Sequence, residues 1–228
     1  LAAKRGGRVR AVIDSFGSGD TPDSLFVPLR EAGGSVTFFS RRWRSTYLIR
    51  NHQKLILIDD YIAVTGGFNI ADDYLSPPRS DCWFDIGMIV KGPTVIHAAR
   101  WFEEIHDYTV NDDGKVLTLR RLIREWPVDG GPVSWLVGGP TQRLSPWARA
   151  VRADLENARQ LDMAMAYFSP GQGMLRRLGR VARRGRARFV MAGKSDNPAT
   201  MGASRLLYGY LLRKSADEVA ARFKQRGA

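Results

Sequence analysis

The 228-residue chain has a single cysteine, Cys82, and three histidines. A lone thiol excludes an intrachain disulfide and leaves the compartment open, secretion included. Long hydrophobic runs are missing too: no stretch approaches the roughly 18 apolar residues that a membrane-spanning helix needs. The sequence therefore reads as cytoplasmic or as peripheral to a membrane. Because residue 1 is a leucine, a longer parent with targeting or membrane segments stays open. Acidic side chains are outnumbered, with 23 Asp and Glu against 35 Lys and Arg for a formal charge of +12. That balance favours anionic partners, namely phospholipid headgroups, nucleic acid or phosphorylated substrates, without choosing among them. A hydrophobic fraction of 44% and a charged fraction of 25% exclude a disordered chain.

Against this background one stretch is dense in chemistry. Residues 51–69 read NHQKLILIDDYIAVTGGFN: His52, then Lys54, four residues, Asp59, six residues, then Gly66-Gly67-x-Asn69. In an extended segment residues two apart share a face, so His52 and Lys54 project together from the start of a strand. The unbroken apolar run 55–58 predicts a strand covered on both faces, and 61–65 a second strand returning after a turn at 59–60. An imidazole can act as a nucleophile or proton shuttle near neutrality. The lysine beside it would repel a metal cation but grip a phosphate. Asn69 adds a neutral donor, and Gly66 and Gly67 clear space where a ligand or backbone must come close. The set suits phosphodiester chemistry that requires neither metal nor cofactor, with charge developing on phosphoryl oxygens that face fixed donors.

These six positions resemble the HKD signature of the phospholipase D superfamily, and they match it throughout. The resemblance implies a mixed β-sheet flanked by helices, duplicated about a pseudo-twofold axis. It also implies an active site assembled from two such motifs, one histidine forming a phosphohistidine and the other protonating the leaving alcohol. An Arg-Asn-His-x-Lys approach and an Asn-x-Ala-Asp-x-Tyr exit, 69–74, are similar to cardiolipin synthase-like phosphatidyltransferases. Arg44 and Arg50 are then expected to steer a headgroup. Trp83-Phe84-Asp85, followed by an apolar strand 86–90 and Gly92-Pro93, fits the same pattern; the resemblance makes Asp85 the carboxylate that orients His52. Asp59 completes the motif in the catalytic set and is expected to tie turn and strand together.

The rest of the chain has α/β rhythm. Strands are expected at 8–14, 35–39, 132–137, 161–168 and 187–192. Helices are expected at about 21–32, 93–108, 117–126, 146–159 and 173–184, with a polar helix at 215–224. Composition places a first lobe at 1–110, a linker at 111–131 and a partial second lobe at 132–228. The segment GRVRAVI at 7–13 can be laid on GRARFVM at 185–191, as a duplicated unit would allow. A second histidine at the same spacing would fall past residue 228, and only one His-x-Lys is present. His97 and His106 lack the paired lysine and read as helix-surface residues. Arg176, Arg180, Arg183 and Arg184 share one helix face, which either stays solvated or touches anionic lipid.

The expectation is thus phosphatidyl transfer or hydrolysis on anionic phospholipids, with peripheral membrane contact and the site completed by a dimer or a further C-terminal segment. The alternatives are a catalytically incomplete phosphate-binding fragment and a nuclease of the same superfamily that needs a second motif in trans.

Overall fold

The computed structural model describes residues 2–40, 49–75, 77, 82–83, 85–112, 115–128, 130–131, 133–139, 141, 144–165, 168 and 170–191. They form two compact units, Leu1–Pro146 and a second beginning at Trp147. The chain is α/β, with small sheets flanked by helices.

In the first unit β1 (Arg10–Asp14) and β2 (Ser35–Phe39) pair in parallel, Arg10 opposite Ser35 and Asp14 opposite Phe39. A parallel pair needs a crossover, supplied by a 3-10 turn at Asp23–Phe26 running into the short helix α1 (Val27–Glu31). The helix expected at 21–32 is thus split. A second sheet, antiparallel, has the order β3 (Leu55–Ile58), β4 (Ile62–Gly66), β5 (Gly87–Lys91). The turn from β3 to β4 places Asp59 and Asp60 both at φ 52°, closed by the Tyr61 amide on the Ile58 carbonyl at 3.1 Å. Left-handed residues at both central positions match the twist of a tight hairpin, and aspartate tolerates them better than most side chains.

Two further helices build the core. α3 (Val95–Asp107) has the spacing of an amphipathic helix and buries Val95, Ala98, Ala99, Trp101 and Ile105. α4 (Val116–Glu125) adds Leu119 and Ile123. Trp101, Ile105, Leu119 and Ile123 form one cluster with Phe39, Tyr108, Trp126 and Val137, in which Trp101 meets Trp126 edge to face at 5.2 Å. Each such side chain stabilises by about 1.5–3 kcal/mol on burial. Residues 111–131, expected as a linker, therefore contribute α4 to the first core. The strand expected at 132–137 is not formed by its described residues. Their polar groups are spent on side-chain contacts instead: the Trp135 carbonyl accepts the Trp126 indole N–H, and the Trp135 indole N–H goes to Thr94.

One correction concerns β3. Its burial alternates, with Ile56 47% and Ile58 46% exposed. Leu57 lies opposite Ala63, which is fully buried on the face where α3 packs against β4. Ile56, opposite Val64 and hence Ile89, lies on the other face, and Ile89 is 67% exposed. An apolar run covered on both faces was the wrong reading, because among the described residues only one face carries a helix.

In the second unit β6 (Gln160–Met165) and β7 (Arg186–Met191) pair in parallel around the crossover helix α6 (Gln172–Arg184). Its core joins Leu175, Leu178 and Val181 to Phe168, Ala187, Phe189 and Leu155 of α5 (Pro146–Asn157). Arg176, Arg180, Arg183 and Arg184 are all exposed. Arg184 is put to structural use, donating to the carbonyls of Leu155 and Glu156 at 2.9 and 2.5 Å. It thereby satisfies carbonyls at the end of α5. The helix expected at 215–224 lies outside the described residues.

Candidate phosphate site at one sheet edge

The start of β3, the end of β4 and the start of β5 lie side by side, since Leu55 is opposite Thr65 and Gly66 is opposite Gly87. His52, Lys54, Gly66, Gly67, Asn69 and Asp85 all belong to these three strand ends. Asp14 joins them from the C-terminal end of β1.

The segment bearing the histidine and lysine is held from both sides. The Asn51 amide donates to Asp14 Oδ2 at 2.9 Å. The Trp101 indole N–H of α3 donates to Gln53 Oε1 at 2.7 Å, so the residue between His52 and Lys54 is fastened to the core helix. Asn51 itself closes a local turn, its Oδ1 accepting the Gln53 amide at 3.3 Å. Lys54 Nζ donates to the His52 carbonyl at 2.9 Å, which brings the ammonium back beside the histidine.

Charge and partial desolvation set the state of this pair. The His52 imidazole is pushed below its usual range, first by loss of hydration among its neighbours and then by the Lys54 ammonium, while Asp14 opposes the shift. Lys54 is likewise lowered by desolvation, against the pull of Asp85 and Asp14. The neutral, nucleophilic imidazole is therefore favoured at neutral pH, next to an ammonium whose charged form Asp85 and Asp14 favour.

Gly66 and Gly67 leave room for the protein's own groups. A Cβ on Gly67 would lie 2.5 and 2.6 Å from the oxygens of Asp85, and one on Gly66 would meet the Phe68 ring at 2.5 Å and Gly87 Cα at 2.8 Å. The Phe68 ring thus sits over the Gly66 and Gly87 pair, and the Asp85 carboxylate over Gly67. Asp85 Oδ1 accepts the Ile86 amide at 2.7 Å. The backbone before it is tied to α2 (Asp72–Leu75), where the Trp83 amide meets the Asp73 carbonyl at 2.9 Å. Among the described residues no hydrogen bond joins Asp85 to His52; its charge acts on Lys54. Asn69 is exposed just beyond.

The other expected residues have different surroundings. Asp59 lies in the hairpin turn, at the opposite end of β3 from His52. The Arg50 guanidinium stacks over the Phe16 ring, 4.0 Å from its centroid. Arg44 lies outside the described residues. His97 and His106 are on α3; His106 stacks on Phe102 and contacts Asp107. Asp14, Trp101 and Phe68 were missed from sequence. For Asp14 a signal existed, a carboxylate closing the apolar run RVRAVID at a strand's C-terminal end.

No protein-family model matches the chain. Among curated proteins it is similar to cardiolipin synthase B of Salmonella typhi, 28% identical over 93% of this chain and 53% of that protein. It is 31% identical to a cardiolipin synthase of Geobacillus sp. (strain WCH70), over 92% of this chain and 43% of the relative. With the major cardiolipin synthase ClsA of Bacillus subtilis (strain 168) it shares 37% identity over 47% of this chain and 24% of the relative. The chain spans about half the length of the first of these relatives.

Proposed function

From the premise that the chain is a cardiolipin synthase-like member of the phospholipase D superfamily, we propose that it carries one half of a phosphodiester-transfer site acting on phospholipids, with His52 as nucleophile. The observation that supports this best is a depressed imidazole beside an ammonium at one sheet edge, in a chain similar to cardiolipin synthases over nearly its full length. A His52 ring nitrogen attacks phosphorus and the bond to the leaving alcohol breaks, that oxygen taking a proton from a second acid. The acceptor's oxygen then attacks phosphorus, the P–N bond breaks, and the second group receives the acceptor's proton. Lys54 and Asn69 hold the non-bridging oxygens, Gly66 and Gly67 let Phe68 and Asp85 pack behind them, and Arg50 steers the headgroup.

In-line displacement needs groups on both sides of phosphorus, and His52 supplies one. We propose that a second His-x-Lys segment, from another copy or from a further stretch of the parent chain, supplies the other. The parallel pair with crossover helix in each unit supports a duplicated ancestry for the two units. No helix among the described residues is long and apolar enough to cross a membrane; the proposed contact with lipid is peripheral, drawn by the net positive charge.

The test is headgroup release and transphosphatidylation on phosphatidylglycerol vesicles, with and without a fragment bearing a second His-x-Lys strand. Turnover should rise with the fragment and vanish in His52→Ala. Turnover indifferent to His52→Ala would overturn the reading. The single His-x-Lys also favours a second reading, phosphate binding without turnover, which predicts headgroup binding but no gain from the fragment. Preferential binding of a DNA oligonucleotide with a steep salt slope would point to the nuclease alternative.

A further inference from the structure

The carboxylate of Asp14 is fully engaged at the site's margin. Its Oδ1 accepts the amides of Phe16 and Gly17 at 3.1 and 2.9 Å, which shapes the loop after β1. Its Oδ2 accepts the amide of Asn51, the residue directly before His52. The strand carrying it is locked at its other end by the bidentate Arg10 and Glu103 pair, whose first contact is 2.6 Å. A loop carboxylate held by two amides of its own chain is pre-organised, so the third bond pulls the histidine segment to a fixed place rather than the reverse.

We propose that Asp14 is a positioning residue for the His52 and Lys54 pair: from the end of β1 it fixes the backbone directly ahead of the imidazole. The proposal rests on the reading of that pair as the phosphate-reacting groups. Asp14 acts through its neighbours and is not placed on substrate. The charged groups that face His52 are Lys54 on its own segment and Asp14 from β1; those that face Lys54 are Asp14 and, from the segment before β5, Asp85. Among the described residues two carboxylates thus favour the lysine's charged form, one from β1 and one from the segment before β5, whereas only Asp14 does so for the histidine. The assignment gives Asp14 the part expected for Asp85, because Asp85 turns its Oδ1 to its own following amide.

The experiment is an NMR titration of the three histidine rings in the full chain, the His52 signals assigned by their loss in His52→Ala. Asp14→Asn keeps an oxygen acceptor for the loop amides but removes the charge and the acceptor for Asn51. It should move the His52 midpoint to lower pH by about half a unit or more. Asp14→Glu, which keeps the charge, should bring the midpoint back toward the unsubstituted value. A merely structural role gives the opposite sign: a loosened loop rehydrates the ring and lets the midpoint rise. An unmoved or raised midpoint in a folded Asp14→Asn chain would therefore overturn the proposal.

Should Asp14→Asn fail to fold, hydrogen exchange of the Asn51 amide in the unsubstituted chain decides. Protection of about tenfold or more supports the bond, and exchange at the unprotected rate refutes it. Inorganic phosphate binding on the same samples tests the functional reading separately. An unsubstituted chain that binds no phosphate sinks that reading while leaving the titration to judge Asp14.

Discussion

Replacing Gly66 and Gly67 separately by alanine should split stability from site chemistry. At Gly67 the new methyl would lie 2.5 and 2.6 Å from the two Asp85 oxygens, well inside the roughly 3.5 Å at which non-bonded atoms settle. Asp85 is exposed and short, so its carboxylate can swing away by about 1 Å. What is lost is the 2.7 Å bond from the Ile86 amide. A charged hydrogen bond contributes about 1.5–3 kcal/mol, and since both groups regain water here the net cost falls below that range, to about 1 kcal/mol. At Gly66 the methyl would instead meet Gly87 Cα and the Ile86 carbonyl oxygen, both at 2.8 Å. These are backbone atoms of the paired strand, so relief means opening the β4 to β5 ladder and displacing Phe68, at about 2–4 kcal/mol.

With about 3 °C of melting temperature per kcal/mol for a unit of this size, Gly67→Ala should lower Tm by about 3 °C and Gly66→Ala by about 6–12 °C. The milder change should nonetheless alter the site. It moves Asp85 away from Lys54 and so removes one of the two carboxylates that hold the ammonium's pKa up. Thermal unfolding gives the first readout, and the pH titration of the Lys54 Cε resonance gives the second, its midpoint falling in Gly67→Ala. The reasoning fails if Gly67→Ala destabilises as much as Gly66→Ala, or if it leaves the Lys54 midpoint unmoved.

Because the folded-state pKa of His52 is depressed below 6.5, its contribution to stability is present above 6.5 and lost as pH falls through the folded value. Carbethoxylation of His52 by diethyl pyrocarbonate, which follows the neutral imidazole, should accordingly reach half its maximal rate below pH 6.5; a midpoint above that contradicts the electrostatics. Trp101→Phe keeps an aromatic ring against Trp126 but loses the donor to Gln53, at a cost of about 1–2 kcal/mol. Calorimetry should show that loss, together with weaker phosphate binding, and unchanged values for both would remove Trp101 from the site's support. In the second unit Arg188, and then Gln160, hold the Asp162 carboxylate down to about 2. Its stabilisation should begin to fade below 3.8 and vanish near 2, and Asp162→Asn should flatten the acid limb of the unfolding profile over that window.

What the sequence made legible was local. The spacing from His52 to Asn69 placed the strand start, the turn and the glycine pair, and β3 and β4 fall within a residue of expectation because hairpin, alternation and breaker signals act over a few positions. The α3 pattern at Val95, Ala98 and Ile105 carried a helix for the same reason. Illegible were the contacts that close over distance: Asp14 to Asn51 across 37 positions and Trp101 to Gln53 across 48. No periodicity encodes those. The coverage of β3 was misjudged because isoleucine at 56 and 58 reads alike whether or not a helix lies over it. Resemblance makes Asp85 the partner of the imidazole, yet its Oδ1 turns to its own following amide. The segment at 132–137 has the composition of a strand, but its Trp135 makes tertiary hydrogen bonds in place of a ladder.

The Asp59 and Asp60 turn has a consequence for the order in which the molecule comes together. A hairpin closed by so short a loop forms in about 1–10 μs, whereas the parallel β1 and β2 pair must first bridge α1, and non-local pairing is slow. His52 and Lys54 are therefore attached to a piece that exists early, while the bonds that aim them, from Asp14 and Trp101, arrive only with the last docking of β1 and α3. A nascent or partly unfolded chain holds the hairpin without the aim. The final placement of the His52 and Lys54 segment is thus a late event, and it marks completed folding more strictly than secondary-structure content does.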